Sequence, residues 1–148
     1  MTRVLGGIAW AMTLLIVAFV AHAEIGRAPT LVFAPGQQWS IKSASPTTAK
    51  IIVGRVEAWK DKICVHVSVV DVPIPRGAPG AGGVTLIAHM PFDQTALAAS
   101  VNQLLATNVA PAPSFEGGYK HWQADQGGIF TISVETAIAF MFQSINRR

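Results

Sequence analysis

The chain predicts an α+β fold, a mainly antiparallel sheet with two to three helices packed on one face. Strand-like alternation is concentrated early, as in Ile63-Cys64-Val65-His66-Val67-Ser68-Val69. Helical spacing is concentrated late, as in Val134, Ile138, Met141, Phe142 and Ile145. Strands followed by helices, rather than the two in strict alternation, place the helices on one side of an antiparallel sheet.

The N-terminus reads as an export signal. Arg3 is followed by an apolar run from Val4 to Val20, and Ala21-His22-Ala23 fits the small-x-small cleavage rule. The expectation is a signal peptide over residues 1–23 and one globular α+β domain over residues 24–148. A retained membrane anchor is the alternative, but Gly6, Gly7 and Thr13 weaken a segment already short for ~30 Å of hydrocarbon. The only cysteine is Cys64, so none stands at the cleavage point to carry a lipid. A periplasmic or secreted protein with no stable membrane anchor after cleavage is expected.

Charge excludes one class of partner. The formal net charge is +3, and the basic residues Lys42, Lys50, Arg55, Lys60, Lys62, Arg76 and Lys120 are scattered. No basic run with interleaved aromatics occurs, so nucleic-acid binding is not expected. A single cysteine makes no intrachain disulfide, and apolar packing must hold the domain together. Cys64 itself is expected to be buried.

Leu31 to Phe33 reads as a short strand, and Gln37 to Ser43 as another with Trp39 and Ile41 on one side; Pro35-Gly36 separates them. Lys50 to Ala58 and Ile63 to Asp71 then read as a hairpin closed by Lys60 and Asp61. That closure puts Ala58, Val56, Gly54 and Ile52 opposite Ile63, Val65, Val67 and Val69 on the apolar face. The other face pairs Glu57 with Cys64, Arg55 with His66 and Val53 with Ser68. One register sorts apolar from polar in both strands, as expected where a single face is buried. The turn lacks an Asn-Gly or Asp-Gly signal, which leaves room for a bulge that flips one strand. The face bearing Arg55, Glu57, Cys64, His66 and Ser68 is expected to be open, or covered only by a loop.

Residues 73–83 contain Pro73, Pro75, Pro79 and four glycines, a composition for an exposed loop. No phosphate-binding glycine motif occurs in it. Val84 to His89 reads as a strand. Asp93 then caps a helix with Leu97, Val101, Leu104 and Leu105 on one face, and Phe92 and Leu97 occupy the positions of a hydrophobic staple. Phe115, Tyr119 and Trp122 have helical spacing after a possible Ser114 cap, although Gly117 and Gly118 together cost about 2 kcal/mol relative to alanine. Gly127-Gly128 ends that helix. Ile129 to Ile132 is a short strand, and Ser133 caps the last helix.

Chemistry, if present, has few carriers. Cys64 and His66 project from one strand face and are weak candidate ligands for zinc, with His89 or His121 completing the shell; no C-x-x-C or H-E-x-x-H spacing accompanies them. Cys64 with a nearby histidine is a candidate nucleophile, helped by Arg55 and opposed by Glu57. Carboxylates that could pair as in glycosidases are Glu57, Asp71, Asp93, Glu116, Asp125 and Glu135, but nothing in the sequence sets two of them at the required separation. His89, at a strand end beside a helix start, and His121 are further candidates. No cofactor motif is present.

At "HMPFDQTALAASV" and "GGIFTISVETAI" the chain resembles a family of small exported proteobacterial proteins of uncharacterised function. That family shares a His-Met-Pro-Phe segment before a helix and a Gly-Gly-Ile/Val-Phe-Thr-Ile-Ser segment before the last helix. The resemblance covers most of the mature chain and implies no activity, cofactor or catalytic residue.

The favoured expectation is a non-catalytic exported binding or inhibitory module. It would use the uncovered sheet face and the 73–83 loop against a protein or cell-envelope ligand. The alternative is a small metal- or thiol-dependent hydrolase built on Cys64, His66 and His89.

Overall fold

The hairpin read from the alternation around Lys60 and Asp61 is the centre of the structure. The computed structural model describes residues 31–145; the expected signal peptide lies outside the described residues. The elements are β1 (Gln38–Ile41), β2 (Lys50–Trp59), β3 (Lys62–Pro73), β4 (Val84–Asp93), α1 (Gln94–Ser100), β5 (Val101–Ala106), α2 (Phe115–Ala124) and α3 (Val134–Ile145). The strands form one five-stranded antiparallel sheet in the order β4-β3-β2-β1-β5. The fold is therefore α+β.

Near the turn the pairing is the expected one: Arg55 opposite His66, Val56 opposite Val65, Glu57 opposite Cys64, Ala58 opposite Ile63. Beyond Gly54 it shifts by one residue, so that Val53 lies opposite Val67, Ile52 opposite Ser68 and Ile51 opposite Val69. This corrects the expected pairing of Val53 with Ser68. Without the shift, Ile51 and Val53 would face away from the main core. The bulge at Gly54 turns both inward, where they are fully buried with Val65, Val67 and Val69.

Helices α1 and α3 cover that valine face. Leu97, Val134 and Ala137 have no exposed surface and join the cluster with Trp39, Ile41 and Phe92. Ile138, Met141 and Phe142 pack against its margin. Asp93 caps α1 as expected, its carboxylate accepting from the N–H groups of Thr95 and Ala96. Ser133 likewise accepts from Thr136 N–H at the start of α3.

Helix α1 stops sooner than its apolar spacing suggested. Ser100 bonds back to the Ala96 carbonyl and also accepts from Val134 N–H. Val101 is extended and begins β5, which pairs with β1. Leu104 and Leu105 thus belong to a strand and are about two-fifths exposed. Pairing the free edge of β1 wins over local helical preference there. Residues 31–33 form no strand, and Ile129 to Ile132 contributes only a bridge between Phe92 and Phe130. That bridge joins the "HMPFDQTALAASV" and "GGIFTISVETAI" segments: Phe130 N–H donates to the Pro91 carbonyl, and Asp93 N–H to that of Phe130.

The remaining helix, α2, lies on the opposite face of the sheet. Ser114 precedes it but makes no side-chain cap bond. Phe115 sits on the bulge itself: a Cβ at residue 54 would stand 2.3 Å from the phenyl ring. The polar face of the hairpin is consequently roofed by a helix, not open as expected. Among the described residues, no helix is long and apolar enough to cross a membrane.

Candidate functional site

Beneath α2 the sequence candidates Glu57, Cys64, His66, Ser68 and His89 come together, and Cys64 loses its expected chemistry. Cys64, His66 and Ser68 have no exposed surface. The Cys64 thiol is pushed up to about 12 by burial, then by the negative charges of Glu57 and Asp93. A thiol in that state stays protonated and is a poor nucleophile. Ser68 is a structural tie: its hydroxyl donates to the Ala88 carbonyl at 2.8 Å and accepts from Ala112 N–H at 3.0 Å. It thereby joins β3, the irregular middle of β4 and the segment leading to α2.

His66, Glu57 and His89 form a continuous hydrogen-bonded chain. His66 Nε2 lies 2.9 Å from Glu57 Oε1, and His66 Nδ1 lies 2.9 Å from His89 Nε2. The Tyr119 hydroxyl from α2 donates to both oxygens of Glu57, at 3.2 and 3.1 Å. Arg55 does not enter the chain. Its guanidinium lies 4.2 Å from the centre of the Tyr119 ring and 3.6 Å from Glu116, holding the outer edge of α2.

The direction of the protons follows from the donor inventory. A carboxylate only accepts, so His66 presents Nε2–H to Glu57. A neutral His66 then has a bare Nδ1, which accepts from His89 Nε2–H. A neutral His89 is left with its lone pair on Nδ1, and among the described residues that nitrogen has no hydrogen-bond partner. Both rings stay neutral near pH 7. Burial lowers the His66 pKa against the opposing pull of Glu57, and burial with the adjoining His66 pushes His89 down to about 4. The His66–Glu57 contact is thus a hydrogen bond to a neutral ring, not an ion pair.

Aromatic edges enclose the chain. Tyr119 and Trp122 stand edge-on to His66 with ring centres 5.0 and 4.6 Å away, and Phe115 stands edge-on to His89 at 5.5 Å. Their spacing along α2 was legible as a helix face, but not that this face would close over the histidines. His121 does not join the chain: it pairs with Asp125 at 3.2 Å, and both side chains, largely exposed, also line the pocket beside β4.

The partly buried His89 also opens onto a pocket of about 740 Å³ that follows the outer edge of β4. Ile74 and Ala78 of the 74–83 loop close one end, Trp122 of α2 forms a wall, and Met141 and Phe142 of α3 form another. Leu86, half exposed, also lines it. The loop is ordered by turns, with Ile74 N–H donating to the Gly83 carbonyl and Gly77, Gly80 and Gly82 at positive φ. The volume falls within the range of small-molecule sites, and mainly apolar walls with a few polar groups, here Thr85, His89, His121 and Asp125, are their usual make-up. Among the described residues no group of three or more His, Cys, Asp or Glu side chains is arranged to hold a metal ion.

The fold and the site define an α+β protein with a roofed histidine chain ending at an apolar pocket. Compared with known proteins, the chain matches no protein-family model, no curated protein and no solved structure.

Proposed function

We propose that the protein is a non-catalytic binding module that takes a small, mainly apolar molecule into the pocket along β4. The observation that carries this reading is the opening of His89 onto about 740 Å³ of apolar-walled space. Binding is favoured over catalysis by the chemistry of the groups present. The Cys64 thiol is buried and protonated, and an imidazole whose pKa lies at about 4 is a weak proton acceptor. The leader pattern and the family resemblance support an exported setting, in which the ligand comes from the periplasm, the envelope or the surroundings of the cell.

Titration with the neutral fluorescent probe N-phenyl-1-naphthylamine tests the reading. Saturable binding of one probe per chain is expected, weakened at least tenfold by Thr85→Trp, which fills the pocket from the edge strand. Non-saturable binding, or binding untouched by that substitution, overturns the proposal.

A further inference from the structure

We infer that the pocket selects molecules carrying a neutral hydrogen-bond donor, an alcohol or phenol hydroxyl on an apolar body, because the Glu57–His66–His89 chain fixes a lone pair at its pocket end. The inference rests on the binding reading above and adds the chemical class of the ligand to it.

A lone histidine beside a pocket would not carry this conclusion. Its two neutral tautomers interconvert, and it can offer either a donor or an acceptor at a given position. Here the choice is made two hydrogen bonds away, at Glu57. The Glu57 carboxylate has only electron pairs to give, so every proton in the chain points toward it: Tyr119 Oη–H, His66 Nε2–H, His89 Nε2–H. Reversing His89 would set two lone pairs against each other across a 2.9 Å contact. His66 has no exposed surface, so water cannot repair such a mismatch from its side.

Two further features keep the chain from slipping. The His66 and His89 planes are within 18° of each other with ring centres 5.1 Å apart, an arrangement compatible with the 2.9 Å nitrogen-to-nitrogen contact. Gly118 lies over His89, where an added Cβ would come 2.6 Å from the histidine Cβ and 3.7 Å from Nδ1. Both Gly118 and His89 line the pocket, and the glycine, having no side chain, leaves the Nδ1 edge of the ring uncovered on its side. A hydroxyl there donates to Nδ1. A ketone or ester oxygen at Nδ1 would face the lone pair and go unpaired there, and a carboxylate would in addition meet the Asp125 carboxylate that lines the same pocket.

The matched pair 2-nonanol and 2-nonanone, equal in skeleton and differing in donor capacity, separates the possibilities by calorimetry. Wild-type protein is expected to bind the alcohol about tenfold more tightly, which corresponds to about 1.4 kcal/mol. Binding of both with equal affinity overturns the donor inference while leaving the pocket reading intact. Binding of neither overturns the pocket reading itself. Glu57→Gln supplies a terminal group that can donate as well as accept, so the chain can run in either direction and the preference is expected to fall to about twofold or less. A preference unchanged in Glu57→Gln overturns the role of the chain. Should that variant fail to fold, the imidazole ¹⁵N shifts of the wild-type protein serve instead: His89 Nδ1 is expected to resonate as an unprotonated nitrogen and Nε2 as a protonated one. The opposite assignment sinks the inference.

Discussion

Gly118 of α2 rests on His89 of β4 so closely that a Cβ on the glycine would stand 2.6 Å from the histidine's own Cβ. The contact has a counterpart one helical turn earlier, where Phe115 of α2 rests on Gly54 of β2. A glycine on the helix receives a sheet side chain, and a glycine on the sheet receives a helix side chain. Together they set the height of α2 above the histidine chain.

That pairing separates the two neighbouring glycines of α2. No atom lies within 4 Å of a Cβ placed at Gly117. Gly117→Ala is therefore expected to stabilise the protein by about 0.5–1 kcal/mol through helix propensity. Gly118→Ala carries the same helical gain but drives a methyl into His89, and overpacking of this kind costs roughly 1–3 kcal/mol. Urea midpoints for the two variants should move in opposite directions. Equal shifts would mean that α2 does not bear on β4 at this point.

Cys64 should behave as an apolar residue. With no exposed surface and its pKa at about 12, it is expected to stay unmodified by 5,5′-dithiobis(2-nitrobenzoate) in the native protein at pH 8, and to react at one thiol per chain in 6 M guanidinium chloride. Rapid reaction of the folded protein would restore the nucleophile reading.

What could be read in advance divides along the range of the forces involved. The hairpin turn and the pairs from Arg55 to Ala58 follow from local alternation, as do the Asp93 and Ser133 caps. The bulge at Gly54 does not, because its cause is the need to bury Ile51 and Val53 with the valines of β3. Leu104 and Leu105 satisfied helical spacing, yet the partner that claims them is β1, some sixty residues earlier. Alternation places Glu57 and His66 on one face of the hairpin, and His89 stands out only as a strand end beside a helix start. Their connection depends on three separate strands-and-helix contacts that leave no periodic trace, and Tyr119 and Trp122 were visible only as a helix face.

Ser68 tests the assembly from the sheet side. Ser68→Ala removes the acceptor for Ala112 N–H and the donor to the Ala88 carbonyl, leaving both backbone groups unpaired at a residue without exposed surface. The expected loss is about 1–3 kcal/mol. It should be accompanied by faster amide exchange at Ala112 than in the wild type, because the segment entering α2 loses its tie to β3. A loss of stability without any change at Ala112 would place the cost elsewhere.

The two neutral histidines also set a direction for the pH dependence of stability. The folded-state pKa values of His66 and His89 lie below the ordinary 6.5, that of His89 at about 4. Between about 4 and 6.5 the unfolded chain therefore binds more protons than the folded one, and stability falls as the pH is lowered through that window. Above 6.5 the contribution of these groups is flat. Because His89 is only partly buried, screening reduces its share to roughly 1–2 kcal/mol. Carboxylates such as Asp93 add their own acid loss, so the informative quantity is a difference: urea midpoints at pH 7.0 and 4.5 for wild type and His89→Asn. The variant should lose less on acidification. Identical losses would show that His89 charges as readily in the folded protein as in the unfolded chain, and the neutral, proton-ordered chain from Glu57 to the pocket would then have no thermodynamic footing.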